Sequence, residues 1–364
     1  MARPSLYEVA LPDKHASLRR LKQPYVALIV GSALLGGYSV LNWFSSASLL
    51  QDPAIGTPAL SQFDDRLPRA DEPIQPIPFP ADLAPQKVEL GKRLFYEPRL
   101  SRNNRIACSN CHDLDTGGTD RAARSIGIDG AVGTVNTPTV FNAALNFKQF
   151  WDGRADSLEE QIDGPIHNPI EMGSSWAEIT AKLQEDLQYR RAFAALYPNG
   201  LTSAAIKDAL ATFERSLLTP DSRFDQFLRG NSEALTENER TGYRLFKQYG
   251  CVVCHQGANV GGNMFQKFGI LGDYFADRGH RTAADHGRQN LSGHEAHRHI
   301  FKVPSLRLAA LTPPYFHDGS IGTLDEAVRI MAQYQLGRSL AAHEIASIVA
   351  FLNTLPGVYR GEGS

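Results

Sequence analysis

Two copies of one short cysteine motif constrain this chain more than any other feature of its sequence. The motif is C-x-x-C-H, which ends at His112 and again at His255, and its two copies contain every cysteine among the 364 residues: Cys108, Cys111, Cys251 and Cys254. This spacing is typical of a c-type haem, in which the two thiols bind the porphyrin and the histidine binds the iron. A zinc site or a thioredoxin motif would not account for a histidine directly after each pair. The sequence therefore predicts two covalently bound haem c groups.

The first 84 residues differ in composition from the rest of the chain. Residues 24–44 are mostly apolar and uncharged, basic residues precede them, and no basic residue follows until Arg66. About 20 apolar residues cross a bilayer, and this charge asymmetry keeps the N-terminus in the cytoplasm. We therefore expect a cytoplasmic segment at 1–23, a transmembrane anchor at 24–44 and a proline-rich linker without a fold of its own at 45–84. The chain would then cross the inner membrane once, with its body in the periplasm. A cleaved signal peptide is the alternative.

The body of the chain is predicted to be mainly α-helical, because amphipathic spacing is frequent and strand patterns are few. A helix that begins at Pro85 leads into the first haem motif. A second helix, which begins after a capping box formed by Thr236 and Glu239, leads into the second motif. Both helices contain the pattern Gly-x-Arg-Leu-Phe, which indicates an internal repeat. We therefore expect two cytochrome c-like haem domains in tandem, at 85–220 and 221–364. The formal net charge of -2 gives no indication of nucleic acid as a partner.

Further motifs resemble those of the bacterial dihaem cytochrome c peroxidases, from about Pro85 to the C-terminus. They include Gly117-Gly118-Thr119-Asp120, Asn136-Thr137-Pro138-Thr139, Phe150-Trp151-Asp152-Gly153-Arg154, Glu171-Met172-Gly173 and Pro313-Pro314-Tyr315-Phe316-His317. The family reduces hydrogen peroxide to water. The resemblance implies that the haem of the first motif is the peroxidatic centre and that the haem of the second motif receives electrons.

The resemblance also implies roles for individual side chains. Glu171 resembles the family's catalytic acid and base, and Gln161 would be its neighbour in the pocket. Met331 stands where the family places the sixth iron ligand of the second haem, although packing in the core is the alternative and Tyr334 is a weaker candidate ligand. Trp151 corresponds to the tryptophan between the two haems, where it would either carry electrons or pack the domain interface.

The family also holds a calcium ion between its two domains. The resemblance assigns to this ion the side-chain oxygen of Asn136 and the backbone carbonyl groups of Thr312 and Pro314, with water completing the shell. Arg307 is a further candidate, as the partner of a haem propionate. The resemblance thus implies one calcium ion beside the two haem groups.

The chain departs from the family pattern at Ile128. Many members carry a histidine at this position, which blocks the peroxidatic iron until the other haem is reduced. Isoleucine cannot bind iron, so we expect a resting peroxidatic haem that is five-coordinate or bound by water, without an activation step. His167, four residues before Glu171, is the nearest substitute ligand.

One segment is rich in histidine and admits two interpretations. Its density resembles that of a metal site, but the glycine and serine residues around it favour a solvated loop over a metal site. The histidines are His280, His286, His294, His297 and His299.

The leading function predicted from the sequence is a membrane-anchored periplasmic peroxidase. Its electrons would come from a small c-type cytochrome, a cupredoxin or a quinol, and it could form a homodimer as family members often do. One alternative is a dihaem oxidase of a protein side chain, similar to the enzyme that matures tryptophan tryptophylquinone; that enzyme has a tyrosine ligand where Met331 stands here. The other alternative is a non-catalytic electron carrier, which would not need Glu171.

Overall fold

The computed structural model describes residues 71–80, 82–359 and 361, and their fold is mainly α-helical, as predicted. Two short strands, β1 (Phe265–Lys267) and β2 (Ile300–Lys302), form one antiparallel pair. The helices of the described residues are α1 (Pro85–Phe95), α2 (Leu158–His167), α3 (Trp176–Gln184), α4 (Leu187–Leu196), α5 (Ser203–Ser216), α6 (Arg223–Leu228), α7 (Glu237–Gln248), α8 (Tyr274–Arg278), α9 (Gln289–Ser292), α10 (Leu324–Leu336) and α11 (Ala342–Leu352).

The helix before the first haem motif, α1, packs against α5. Pro85 occupies the first turn of α1, where a missing N–H breaks no helical hydrogen bond. The apolar face of α1 is buried in one hydrophobic core with the apolar face of α5. The two helices approach so closely that a Cβ atom on Gly91 would overlap the backbone carbonyl of Ala209. Glycine therefore permits this crossing, which holds the first haem motif against the core.

The helix before the second haem motif, α7, packs against α11 in the same way. Its predicted capping box is confirmed: the Thr236 hydroxyl accepts from the Glu239 N–H, and the Glu239 carboxylate accepts from the Thr236 N–H at 2.7 Å. A Cβ atom on Gly242 would overlap the carbonyl of Ser347 on α11. The internal repeat seen in the sequence is thus a repeated helix crossing.

The repeat continues beyond the helices into the loops between them. Phe150 and Phe316 both have a φ of 70°, and each lies at the start of a Phe-x-Asp-Gly loop. Isolated bridges close both loops, Gln149 with Ala155 and Tyr315 with Ile321. At the same sequence offset, Trp151 corresponds to His317.

The two repeats exchange matching backbone hydrogen bonds. The N–H of Asn136 donates to the carbonyl of His317 at 2.8 Å, and the N–H of Lys302 donates to the carbonyl of Trp151 at 2.8 Å. Asn136 and Lys302 are themselves equivalent in the repeat, since each lies two residues before a proline. The contact is therefore reciprocal, as expected for a local twofold relation between the repeats.

The last part of the predicted linker is folded, in contrast to expectation. Ile74 and Ile77 are buried, and Ile74 belongs to the same core as α7 and α11. The N–H of Ile77 donates to the Asp225 carboxylate at 3.2 Å, and the Pro73 carbonyl accepts from the N–H of Gly257. The isoleucines alternate with prolines in an extended chain, so they bury their side chains without forming a helix or strand.

The predicted location in the inner membrane is corrected. Among the described residues, no helix combines the length and the apolar composition that a membrane crossing requires. The predicted anchor at 24–44 and the cytoplasmic segment at 1–23 lie outside the described residues. The single-pass membrane location is therefore withdrawn.

The two close helix crossings lead to a stability prediction. Replacing Gly91 or Gly242 by alanine should lower the free energy of unfolding of the haem-loaded protein by about 2 kcal/mol or more, because a methyl group would overlap backbone atoms that cannot move aside. Denaturant unfolding followed by circular dichroism measures the change. Gly322→Ala is the matched control, because nothing lies within 4 Å of a Cβ atom there. Equal stability of all three variants would contradict the close packing.

Candidate active site

The two haem motifs adopt the same local structure. Each forms a short 3-10 turn, over Cys108–Asn110 and Cys251–Val253, which brings the cysteine and histidine side chains together. In both copies the N–H of the motif histidine donates to the carbonyl of the first cysteine at 2.9 Å. The geometry therefore offers two thiols and one imidazole at each site, as the sequence predicts for haem c.

Hydrogen bonds at Nδ1 of both motif histidines leave Nε2 available to bind a metal. Nδ1 of His112 lies 3.2 Å from the carbonyl of Gly118, and Nδ1 of His255 lies 3.4 Å from the carbonyl of Val260. A proton on Nδ1 that is held by a carbonyl leaves Nε2 free as a ligand. Burial lowers the pKa of both imidazoles, to about 4 for His255, so they are neutral.

A largely apolar cavity surrounds the second motif. Cys251, Cys254 and His255 lie on its wall, and Met331 of α10 lines the same cavity. The remaining wall is formed mainly by apolar side chains, among them Phe246, Leu324, Val328, Ile348 and Leu352. The shape and the ligand set fit a haem with histidine and methionine available to its iron.

Tyr334 is placed differently from Met331. Its hydroxyl donates to the Asp277 carboxylate at 3.0 Å, and it does not line the cavity. The structure thus favours Met331 over the weaker candidate that the sequence left open.

The first motif lacks the equivalent of Met331. Ser157 and Thr323 are equivalent N-caps of α2 and α10, since each hydroxyl accepts from the N–H three residues later. Counting from these caps, the position of Met331 in α10 is occupied in α2 by Pro165. Proline has no group that can bind iron, so α2 provides no ligand at this position.

Ile128 is packed away beside Glu171. It is almost fully buried, and its N–H donates to the Glu171 carbonyl at 2.9 Å. Cβ atoms placed on Gly127 or Gly173 would overlap the facing segment, so residues 127–128 and 170–173 are in close contact. The isoleucine therefore contributes packing to the segment that carries Glu171.

Glu171 has the environment of an acid and base. Burial raises the pKa of its carboxyl group, against a hydrogen bond from Asn168 Nδ2 to Oε1 at 2.7 Å and the positive charge of Arg154. Burial also raises the pKa of the Cys111 thiol, and the charge of Glu171 adds to that effect. The charge of Glu171 thus influences a cysteine of the first haem motif, and no described residue hydrogen-bonds its Oε2.

Two other residues predicted around the first haem differ in their availability. Gln161 is half-buried on α2, one turn before Pro165. His167 is held by a contact of Nδ1 with the carbonyl of Ser174 at 3.2 Å and by an edge contact with Trp176. The structure thus leaves Gln161 as a pocket candidate and gives His167 partners of its own.

Trp151 lies at the contact between the repeats. Its indole Nε1 donates to the carbonyl of Asn136 at 2.8 Å, and its ring meets that of His317 edge to face at 6.4 Å. Trp151, Asn136, Thr312 and Pro314 all line the cavity that contains His255 and Met331. The residues predicted for the electron path and for calcium therefore line the same cavity.

Arg307 has a role different from the predicted propionate partner. It is fully buried and forms an ion pair with Asp225 at 2.8 Å, while its other nitrogens donate to the carbonyls of Ala258 and Gln75. It does not line the cavity. Arg307 instead ties the folded end of the linker to α6.

The histidine-rich segment is partly buried, which differs from the predicted solvated loop. His299 stacks on Phe275 at 4.0 Å, and its Nδ1 lies 2.7 Å from the Asp285 carbonyl, whereas His280 and His294 are exposed. Among the described residues, the loop histidines form no group of three metal ligands. The segment connects β1 to β2, which anchor it to the rest of the fold.

Sequence reasoning missed a buried ionic network next to Trp151. Nε2 of His317 lies 2.7 Å from the Asp285 carboxylate, which also pairs with Arg278 at 2.7 Å. Burial alone would raise the pKa of Asp285, but the hydrogen bonds from His317, Thr282 and Arg278 outweigh it and hold the pKa well below its usual range. These residues are far apart in sequence, so only the repeated Phe-x-Asp-Gly pattern at His317 could have pointed to the network.

Comparison with known proteins gives consistent matches. A family model for di-haem cytochrome c peroxidase matches residues 85–233. The cytochrome c551 peroxidase of Nitrosomonas europaea is 47% identical over 294 residues, which cover 79% of this chain and 85% of that protein. The cytochrome c peroxidase Ccp of Escherichia coli is 49% identical over 290 residues, 79% of this chain and 62% of that protein. Among solved structures, a MauG-like protein associated with microbial copper homeostasis has a TM-score of 0.70 and 32% identity, covering 79% of this chain and 95% of that one.

Proposed function

Because this chain belongs to the dihaem cytochrome c peroxidase family, we propose that it reduces hydrogen peroxide to water at the haem of the first motif, with electrons that enter through the haem of the second motif. The family confirms the resemblance seen in the sequence and implies two haem c groups. The division of roles between the two haems is supported by the different side chains at equivalent positions of the repeats. Met331 stands in α10 where Pro165 stands in α2, and Glu171 accompanies only the first motif.

An open iron at the first motif is supported by three residues. Pro165 cannot bind iron, Ile128 is buried against the Glu171 segment, and His167 is held by Ser174. The haem that His112 would hold would then be accessible to peroxide without a prior activation step. The haem, when bound there, supplies the redox chemistry, and the protein supplies the proton transfers.

Glu171 is proposed to move the proton. Asn168 occupies Oε1, so Oε2 would accept the proton from one oxygen of hydrogen peroxide and return it to the other, which leaves as water. The reaction consumes two electrons and two further protons and yields two molecules of water. Gln161 is proposed to hydrogen-bond the peroxide from α2.

Electrons are proposed to enter at the second motif from a small redox protein. Val253, between the two cysteines of the motif, is 66% exposed. Ile270 and Leu271 are also exposed, and the N–H of Leu271 donates to the carbonyl of Tyr334 on α10. A small apolar surface of this kind suits a transient contact with a c-type cytochrome or a cupredoxin better than it suits a quinol. Met331 would bind the iron, and Trp151 would carry electrons toward the first haem.

A calcium ion is proposed at Asn136, Thr312 and Pro314. The Asn136 amide nitrogen donates to the Ala122 carbonyl at 3.0 Å, which leaves the amide oxygen as a ligand. Together with two backbone carbonyls it would form part of the hard-oxygen shell that calcium prefers. The ion would stabilise the contact between the repeats.

The two haem domains are proposed at 85–220 and 221–364. Separate hydrophobic cores support this division, one containing α1 and α5 and the other containing α7 and α11. Residues 71–80 would then belong with the second domain, because Ile74 packs in its core. The homodimer stays a prediction.

A side-chain oxidase is the second candidate, since the MauG-like solved structure is a relative. The position of Met331 in the cavity, with Tyr334 bonded to Asp277 outside it, favours the peroxidase. An electron carrier would not require Glu171. Turnover of the Glu171 variant therefore separates the carrier from both enzymes.

Replacing Glu171 by glutamine tests the proposed function. Starting from fully ferric protein and a reduced small c-type cytochrome, peroxide turnover should begin at once in the wild type and fall about 10³-fold in Glu171→Gln, because the proton carrier is lost. Glu185→Gln is the control, since that carboxylate is exposed. Unchanged turnover in Glu171→Gln would refute the role.

The pH profile of turnover gives a second readout in the same assay. The carboxylate must be deprotonated to accept a proton, so activity should be lost as the pH falls through the raised pKa of Glu171. Asn168→Ala removes a hydrogen bond that lowers this pKa, so the acidic limb should move to higher pH.

Replacing Ile128 by histidine tests the open iron. If this position faces the first haem, Ile128→His should give a low-spin ferric haem and a lag before turnover, whereas Ile128→Leu should keep the high-spin signal and prompt turnover. Absorption and electron paramagnetic resonance spectra of the ferric proteins measure the spin states. A wild-type spectrum with two low-spin haems would contradict the proposal.

Removing calcium tests the proposed ion. Chelation should lower turnover, calcium should restore it, and Asn136→Ala should weaken calcium binding at least about tenfold in a calorimetric titration. Asn353→Ala, on the exposed end of α11, is the control. Identical affinities in the wild type and Asn136→Ala would place any calcium elsewhere.

A further inference from the structure

Lys302 is a buried lysine whose ammonium group has no partner among the described residues. It is 7% exposed and lies on β2, where its backbone pairs with Phe265 and donates to the carbonyl of Trp151. Burial lowers the pKa of its ammonium group to about 8, and no neighbouring acid raises it again. An amine in such a place is costly to keep charged unless an anion accompanies it.

Two other buried charges of the fold show what this position lacks. Arg307 is paired with Asp225 at 2.8 Å, and Asp285 is paired with Arg278 and His317, each at 2.7 Å. Both groups are surrounded by hydrogen bonds as well. Lys302 has neither an ion pair nor a hydrogen bond from its side chain to any described residue, so its partner is expected to come from a bound molecule.

The charges that line the cavity around Lys302 favour an anionic group as its partner. None of the described residues on its wall is an aspartate or a glutamate, and two are lysines, Lys302 inside and Lys267 at the exposed edge. His255 and Met331 also line this cavity. A haem with its iron between these two residues would bring two propionate groups into a cavity that contains positive charge and no carboxylate.

We propose that the Lys302 ammonium group forms an ion pair with a propionate of the haem attached to Cys251 and Cys254, and that it is a positioning residue that raises the reduction potential of this haem. A fixed positive charge near the porphyrin disfavours the ferric form, which carries one more positive charge than the ferrous form. The proposal requires the second haem, but not the proposed roles of Glu171 or Ile128.

The positive charge of Lys302 has no counterpart at the equivalent position of the first repeat. The residue equivalent to Lys302 is Asn136, which is neutral. At this pair of equivalent positions, the chain therefore has a positively charged side chain only in the second repeat. Together with a methionine ligand, this charge would widen the difference in potential between the two haems and direct electrons to the second one first.

Removing the charge tests the assignment. Spectroelectrochemical titration of the haem-loaded protein should show that Lys302→Met shifts the ferric-to-ferrous equilibrium of the second haem about tenfold toward ferric. Lys302→Arg should keep the wild-type potential, because it retains the charge. Lys92→Met, an equal change of net charge at an exposed position of α1, should leave both potentials unchanged.

Two further results decide the proposal. Unchanged potentials in Lys302→Met, or a shift confined to the first haem, would overturn it. If Lys302→Met does not accumulate with both haems attached, Lys302→Gln provides the same test, because glutamine keeps a hydrogen-bond donor and loses the charge. A change in the resonance Raman propionate band of the second haem in Lys302→Gln, alongside the lower potential, would support the ion pair, and an unchanged band would refute it.

Discussion

The reciprocal pair of backbone hydrogen bonds between the repeats is the contact on which the proposed site depends. Asn136 donates to His317, and Lys302 donates to Trp151. Each bond fixes a loop with a strained phenylalanine at its start, and the two loops bring the rings of Trp151 and His317 into edge contact. Neither repeat could hold its loop in this way alone, because the N–H that donates to the loop always belongs to the other repeat. The two close helix crossings, α1 with α5 and α7 with α11, are the corresponding contacts within each repeat.

The chemistry follows from the positions where the repeats differ. A methionine in α10 corresponds to a proline in α2, so one site has an iron ligand that the other lacks. A histidine corresponds to Trp151, and the histidine is tied into the network of Asp285 and Arg278, whereas the tryptophan bonds only a carbonyl. The two repeats therefore share a common scaffold, and in the proposed function a few exchanged side chains assign electron entry to one haem site and peroxide binding to the other.

Much of this arrangement could be predicted from the sequence, but not all of it. The haem motifs, the capping box at Thr236 and the helix before each motif were predictable because each depends on local spacing. The partner of Arg307 was not, because a basic residue near a haem motif does not reveal that Asp225 lies opposite it in the fold. For the same reason Lys302 was overlooked. The burial of Ile74 and Ile77 was hidden by the prolines around them, since periodicity identifies helices and strands but not an extended segment that packs.

Two groups, Lys302 and Glu171, are proposed to complete their interactions with a bound molecule. Arg307 and Asp285 are buried with partners, and they hold elements together without contributing to the cavity. Lys302 is buried without a partner, and Glu171 has one oxygen occupied by Asn168 and the other left for a ligand. A protein cannot cheaply bury such groups for stability alone, because desolvation is not repaid until something binds. We propose the first for the carboxylate of a cofactor and the second for the proton of a substrate, which would assign the two groups to electron entry and to peroxide reduction respectively.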